Sequence, residues 1–143
     1  MKLILSRKGF DSAAGGVPSP ILPDGRLVSL PIPGGAYPGC LRYGDLTPAG
    51  LPLANLVRGL TRGRLGARDP AHLDPDLDPT TLPRAAGWRP LFGQAGAAER
   101  HLQRMGVGSG DLFLFFGWFR RIERHARTWR YVPGAPDLHV IWG

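Results

Sequence analysis

Cysteine is almost absent from this 143-residue chain, where Cys40 stands alone. One thiol excludes an internal disulfide and a multi-cysteine metal site. It sits in a Pro38-Gly39-Cys40 turn, with no neighbouring base or helix start to make it a nucleophile. Long apolar runs are missing too, so no segment is long enough to span a membrane. The basic-then-apolar opening, Met1-Lys2-Leu3-Ile4-Leu5, stops at Ser6, which is too short for a signal-peptide core. These absences lead to the expectation of a cytoplasmic protein with no membrane partner.

Lysine is scarce as well. Lys2 and Lys8 are the only two among 18 basic residues, set against 11 acidic ones for a net charge of +7. Such a surplus favours polyanionic partners, and the planar arginine fork suits phosphates and base edges. A GC-rich genome would also enrich Arg, Ala, Gly and Pro together, so the distribution of the arginines carries more than their number. Hydrophobic content of 43% and charged content of 20% describe a globular chain, while 21 Gly and 15 Pro make it rich in loops. The length fits one domain over residues 1–143.

The pattern along the chain predicts an α+β fold, a mixed and curved β-sheet with two main helices. Lys2 to Ser6 reads as a buried strand. Pro20–Leu22 and Arg26–Pro31 read as the arms of a hairpin turning at Pro23-Asp24-Gly25. Leu53, Leu56, Val57 and Leu60 recur at helical spacing, predicting a helix over 48–62 with Thr47-Pro48 at its start. Arg58 and Arg62 near its end are accounted for by the helix dipole. Residues 63–90 show no sustained period and read as a long irregular, functional segment. A second helix is predicted over 94–106, closed by Gly106. Asp111–Phe119 reads as a strand buried on both faces, and Arg127–Val132 and Leu138–Trp142 as two more strands.

Three constellations could carry chemistry. The first follows the opening strand: Arg7 and Lys8 supply cations for a phosphate or carboxylate, Asp11 an acceptor or base, and Gly9, Gly15 and Gly16 bare amides. Ser12 adds a hydroxyl, although it lacks the Gly-x-Ser-x-Gly turn of a hydrolase nucleophile. The second is His72-Leu-Asp74-Pro-Asp76-Leu-Asp78, whose polar residues share one side of an extended chain. A divalent-ion site, a catalytic base and a solvated loop pinned by its apolar residues all fit that pattern; the pinned loop is preferred and no metal is expected. The third is Arg120 to Arg130, where Arg120, Arg121, Arg124 and Arg127 with Trp129 combine charge and a stacking platform suited to nucleic acid. A solvated connection between strands fits it equally. Gln94, at a helix start, could read a base edge or serve as a cap, and Trp118 could be core or a pocket wall. Nothing in the sequence names a cofactor.

The order of several blocks resembles the nucleotide modification associated domain 3 family of phages and bacteria. The likeness rests on Ser6-Arg7-Lys8-Gly9-Phe10-Asp11-Ser12 with Gly15-Gly16 and Pro18-Ser19-Pro20, then Asp24-Gly25-Arg26 and Tyr43-Gly44-Asp45-Leu46. It continues through His72-Leu73-Asp74-Pro75-Asp76-Leu77, Phe92-Gly93-Gln94 and Gly110-Asp111-Leu112-Phe113-Leu114-Phe115-Phe116-Gly117-Trp118-Phe119. The resemblance implies a role in modifying nucleotides or handling modified ones, with nucleotide or DNA as partner, alongside other proteins of a DNA-modification operon. It also implies elements beyond Gly143, so a C-terminally truncated member is expected. The helix leading into Gly108-Ser-Gly-Asp-Leu-Phe resembles the entry to the central strand of PUA-like barrels. Together these readings lead to one expected pocket, with Asp11, Ser12, His72 and Asp74 as catalytic groups and Arg7, Lys8, Asp76, Gln94 and Trp118 binding substrate. A non-catalytic reader of modified or flipped bases and a scaffold partner remain the alternatives.

Overall fold

The computed structural model describes residues 1–143. One long strand organises it. The elements in chain order are β1 (Leu3–Arg7), β2 (Ser19–Ile21), β3 (Ile32–Pro33), α1 (Leu53–Leu60), β4 (Ala71–His72), α2 (Gly96–Arg104), β5 (Leu112–His125), β6 (Thr128–Tyr131) and β7 (Leu138–Ile141). The aromatic run in β5 favours an extended, pleated backbone, and four other strands pair with it. β1 runs parallel to its first half, from Leu3↔Leu112 to Arg7↔Phe116, and β2 parallel to its middle, from Ser19↔Phe119 to Ile21↔Arg121. β7 and β6 are antiparallel to it, from Phe116↔Ile141 to Phe119↔Leu138 and from Ile122↔Tyr131 to His125↔Thr128.

The PUA-like barrel is not formed. Every ladder of the five-stranded sheet is made to β5, and the remaining β3–β4 ladder forms a separate two-stranded sheet, so no pairing closes a ring. The fold is α+β with an open mixed sheet.

The interior is built mainly from loops and α1. Phe10, Leu30, Tyr43, Leu46, Leu53, Leu56, Val57 and Ile122 form its centre. The Tyr43 hydroxyl donates to the Pro31 carbonyl at 2.8 Å, and burial pushes that phenol's pKa up. The helix predicted over 48–62 is broken. Pro48–Gly50 is a short 3-10 turn in which Ala49 has φ of 50°, and α1 begins only at Leu53, after Pro52. A residue preceding proline is pushed toward extended backbone, which separates the two pieces.

Two other expectations change. β1 is not buried: Leu3 and Leu5 are 60% and 62% exposed. β5 is not covered on both faces either. Phe115, Gly117 and Phe119 are buried, whereas Leu112 on the alternate side is 48% exposed. The hairpin turn at Pro23-Asp24-Gly25 is present, with Leu22 N–H donating to Arg26 and Val28 N–H to Pro20, but its second arm contributes only the Leu27 bridge to Ile21.

Candidate functional site

Strand alternation separates the first two cations. Arg7 turns outward and its guanidinium meets Asp11 at 2.8 Å. Asp11 also accepts the Ala13 and Ala14 amides at 2.8 and 2.6 Å, so its carboxylate closes its own turn. The Ala14 amide, chiefly, holds that carboxyl below its ordinary pKa, with Ala13 and Arg7 assisting. Gly15 is required here: at φ of +88°, an added Cβ would fall 2.3 Å from the Phe10 ring. Ser12 lies exposed in the same turn.

Lys8 turns inward. Its amide donates to the Phe116 carbonyl at 2.9 Å, one residue past the end of β1. Its ammonium sits 4.5 Å from the centroid of Phe92 and 3.8 Å from Asp74 Oδ2, with the side chain only 13% exposed. Burial lowers the Lys8 pKa, and the Asp74 charge opposes that shift. Asp74 Oδ1 accepts the Gly93 amide at 3.1 Å, while His72 Nε2 stands 4.0 Å from Oδ2. Lys8, His72, Asp74 and Phe92 are thus brought together from three distant parts of the chain.

The alternating aspartates have separate fates. Asp76 is held by Arg84 through two bonds of 2.7 and 2.5 Å, with the guanidinium stacked 4.1 Å over Trp88. Asp78 accepts the amide and hydroxyl of Thr80. Asp74 alone of the three combines a neighbouring ammonium and imidazole with an open volume. It lines a cleft of about 410 Å³ together with Gly9, Arg26, Ser29, Asp78 and Trp142. The Trp142 indole N–H is buried without a hydrogen-bond partner, 3.4 Å from where a Cβ on Gly117 would stand. No three His, Cys, Asp or Glu side chains converge as a metal site.

Gln94 lies elsewhere, in a groove between α2 and β1 lined by Ile4, Leu102 and Phe113. Trp118 is on the opposite face of β5 from Gly117, half-buried in the strand's alternating pattern. Arg120 pairs with Asp137 at 2.6 Å, and Arg121 is exposed. Arg124 and Arg127 project from the β5–β6 hairpin into a second cleft, of about 750 Å³. Trp129 lines it too, with the Arg124 guanidinium 5.0 Å from its ring.

The family model described as nucleotide modification associated domain 3 matches residues 2–143. The chain belongs to that family. Its description associates the fold with nucleotide modification, and no curated protein or solved structure matches the chain. No helix of this nucleotide modification associated domain is long and apolar enough to cross a membrane.

Reading the sequence missed four residues that shape the two clefts of this family member. Trp142 reads in the sequence only as the end of a strand. Arg58 and Arg62 were explained by the helix dipole, yet both line the second cleft beside Asn55. Asn55 and Arg58 share the polar face of α1 and Arg62 follows directly after its end, a run of polar residues on one side that could have found them. Gly59 is the fourth. A Cβ there would stand 2.7 Å from the Trp129 carbonyl oxygen, so its absence lets α1 lie directly on β6.

Proposed function

We propose that this domain holds a nucleobase, free or within a nucleic acid, in the cleft beside Asp74, and that Asp74 reads or deprotonates it. The observation supporting this is the unsaturated carboxylate. An ionised carboxylate offers about four acceptor positions. Here Oδ1 receives one hydrogen bond, from Gly93, and Oδ2 faces only the Lys8 and His72 nitrogens, at 3.8 and 4.0 Å. Spare acceptor capacity on the wall of a 410 Å³ cleft suits the amine and imide N–H groups that base edges display.

Lys8 and His72 flank the same carboxylate and would exchange a proton with it or with the bound base. Trp142 supplies an aromatic wall, and Ser29 and Thr81 supply hydroxyls for a sugar. In this reading Arg7, Asp11 and Ser12 serve binding indirectly, by shaping the bend that carries Lys8 and Gly9.

The test compares cells expressing the wild-type chain with cells expressing Asp74→Asn, with nucleosides from DNA and the free pool analysed by mass. The expected outcome is a nucleoside whose abundance changes with the wild type and not with the variant, both proteins keeping the same Tm. A variant as effective as the wild type removes Asp74 from the site. The reader alternative uses the same cleft. Nucleoside monophosphate binding that depends on Asp74, with no change in nucleoside composition, would decide for it.

A further inference from the structure

We propose that the cleft between the end of α1 and the β5–β6 hairpin binds the phosphodiester backbone of a single-stranded polynucleotide, a proposal that rests on the nucleobase reading of the Asp74 cleft. Arg58 enters from α1 and Arg62 from just past its end, Arg124 and Arg127 enter from the hairpin, and no carboxylate lines the space between them. None of the four is in an ion pair. Their neighbours Arg120 and Arg130 are paired, with Asp137 and Glu123, so the cleft gathers four unpaired guanidinium groups with no carboxylate among them. Guanidinium groups form paired bonds to phosphate oxygens, and arginines from two elements can follow successive phosphates. Trp129 adds an aromatic surface already in contact with Arg124, the combination by which single strands are held through backbone and base at once. The end of a helix carries about half a negative charge, which four guanidinium groups outweigh.

A second observation, in the backbone, points the same way. Both helices end on the same pair of bonds. At α2, Gly106 donates to the Gln103 carbonyl and Val107 to Leu102, with Gly106 at φ of +61°. At α1, Arg62 donates to Gly59 and Gly63 to Arg58, but the left-handed position is occupied by Arg62 itself, at φ of +54°. Glycine is the usual residue there because a Cβ is strained. An arginine kept in that position places its guanidinium in the cleft at a conformational cost. Gly59 serves the same end by letting α1 approach β6 closely enough for the two arginine pairs to face one another.

The measurement is fluorescence anisotropy of a labelled oligodeoxythymidine titrated with the full chain at several salt concentrations. The double variants Arg58→Gln/Arg62→Gln and Arg124→Gln/Arg127→Gln should each weaken binding at least about tenfold. Each arginine removed should reduce the salt slope by roughly 0.7, the value for single strands. Arg100→Gln/Arg104→Gln on α2 removes the same charge from another surface and should shift affinity less than about twofold. Arg62→Gly should weaken binding while raising Tm by roughly 3 °C, opposite signs that a purely structural role would not produce.

The proposal is overturned if the cleft variants bind as the wild type does, or if the α2 pair weakens binding equally. It is also overturned if polyglutamate of matched charge displaces the oligonucleotide as well as unlabelled oligonucleotide does, which would make the cleft a site for acidic protein. Titration of a nucleoside monophosphate separates the two readings: the cleft variants should retain that binding, and Asp74→Asn tests it independently.

Discussion

The two faces of β5 are almost equally apolar in sequence and have opposite fates. Phe115, Gly117 and Phe119 face the packed side and are buried, and the Asp74 cleft is built against that side through Trp142 and Gly143. Leu3, Leu5, Leu112 and Ile141 lie on the other side and are 60%, 62%, 48% and 57% exposed. What separates the faces is not hydrophobicity but what the loops do. The segment from Leu73 to Phe92 folds back over one face, bringing Leu77 to Gly143 and Phe92 to Phe113 and Phe115, with ring centroids 5.0 and 4.9 Å apart.

That contrast can be broken by mutation, and the largest effect is expected at Phe119, which is fully buried. Phe119→Ala should cost about 3–5 kcal/mol of unfolding free energy in urea titration. A cost near that of a surface change would mean the packed face is looser than described. Gly117→Ala comes next. Its Cβ would stand 2.9 Å from both the Lys8 carbonyl oxygen and the Phe119 ring. Overpacking of this kind costs about 1–3 kcal/mol, and the displaced Lys8 should weaken nucleotide binding in the same calorimetric titration that measures it for the wild type.

Asp11 gives a smaller effect with a defined pH signature. Because its carboxyl is held below the ordinary value, its contribution is fully present above the unfolded-state pKa of about 3.9 and is lost as pH falls through the folded-state value. Asp11→Asn should cost about 1–2 kcal/mol at neutral pH, and the loss relative to wild type should shrink steadily in urea melts taken at successively lower pH across that window. A difference that stays constant with pH would mean the turn does not depend on the charge. The smallest effect belongs to the open face. Leu5→Thr places a β-branched residue, favoured in strands, at an exposed position and should change stability by less than about 0.5 kcal/mol; a loss several times larger would show that something covers Leu5.

Much of the fold was legible because it rests on local signals. The Leu53, Leu56, Val57 and Leu60 spacing marks α1, Gly106 marks the end of α2, and the aromatic run marks β5. Coverage was not legible. Alternation says which residues share a face, and nothing local says which face a distant loop will pack on, so β1 and β5 were both expected to be more buried than they are. The site divides in the same way. Lys8 and Asp74 were singled out by residue type, but their separation from Arg7, Asp11 and Asp76 depends on strand alternation at Arg7–Lys8 and on the Arg84 fork that occupies Asp76. Gln94 at a helix start and Trp118 beside Gly117 suit a pocket by residue type, whereas the fold puts them in another groove and on the far face of β5.

The unpartnered indole of Trp142 has an optical consequence. An indole N–H with no acceptor, packed among Gly117 and Phe115, should emit at shorter wavelength than one that contacts water. Trp88 lies beneath Arg84, Trp118 is half-buried on the open face of β5, and Trp129 borders the arginine cleft. Replacing three of the four by phenylalanine would therefore leave a chain whose own emission colour reports the occupancy of one cleft at a time, with no label attached.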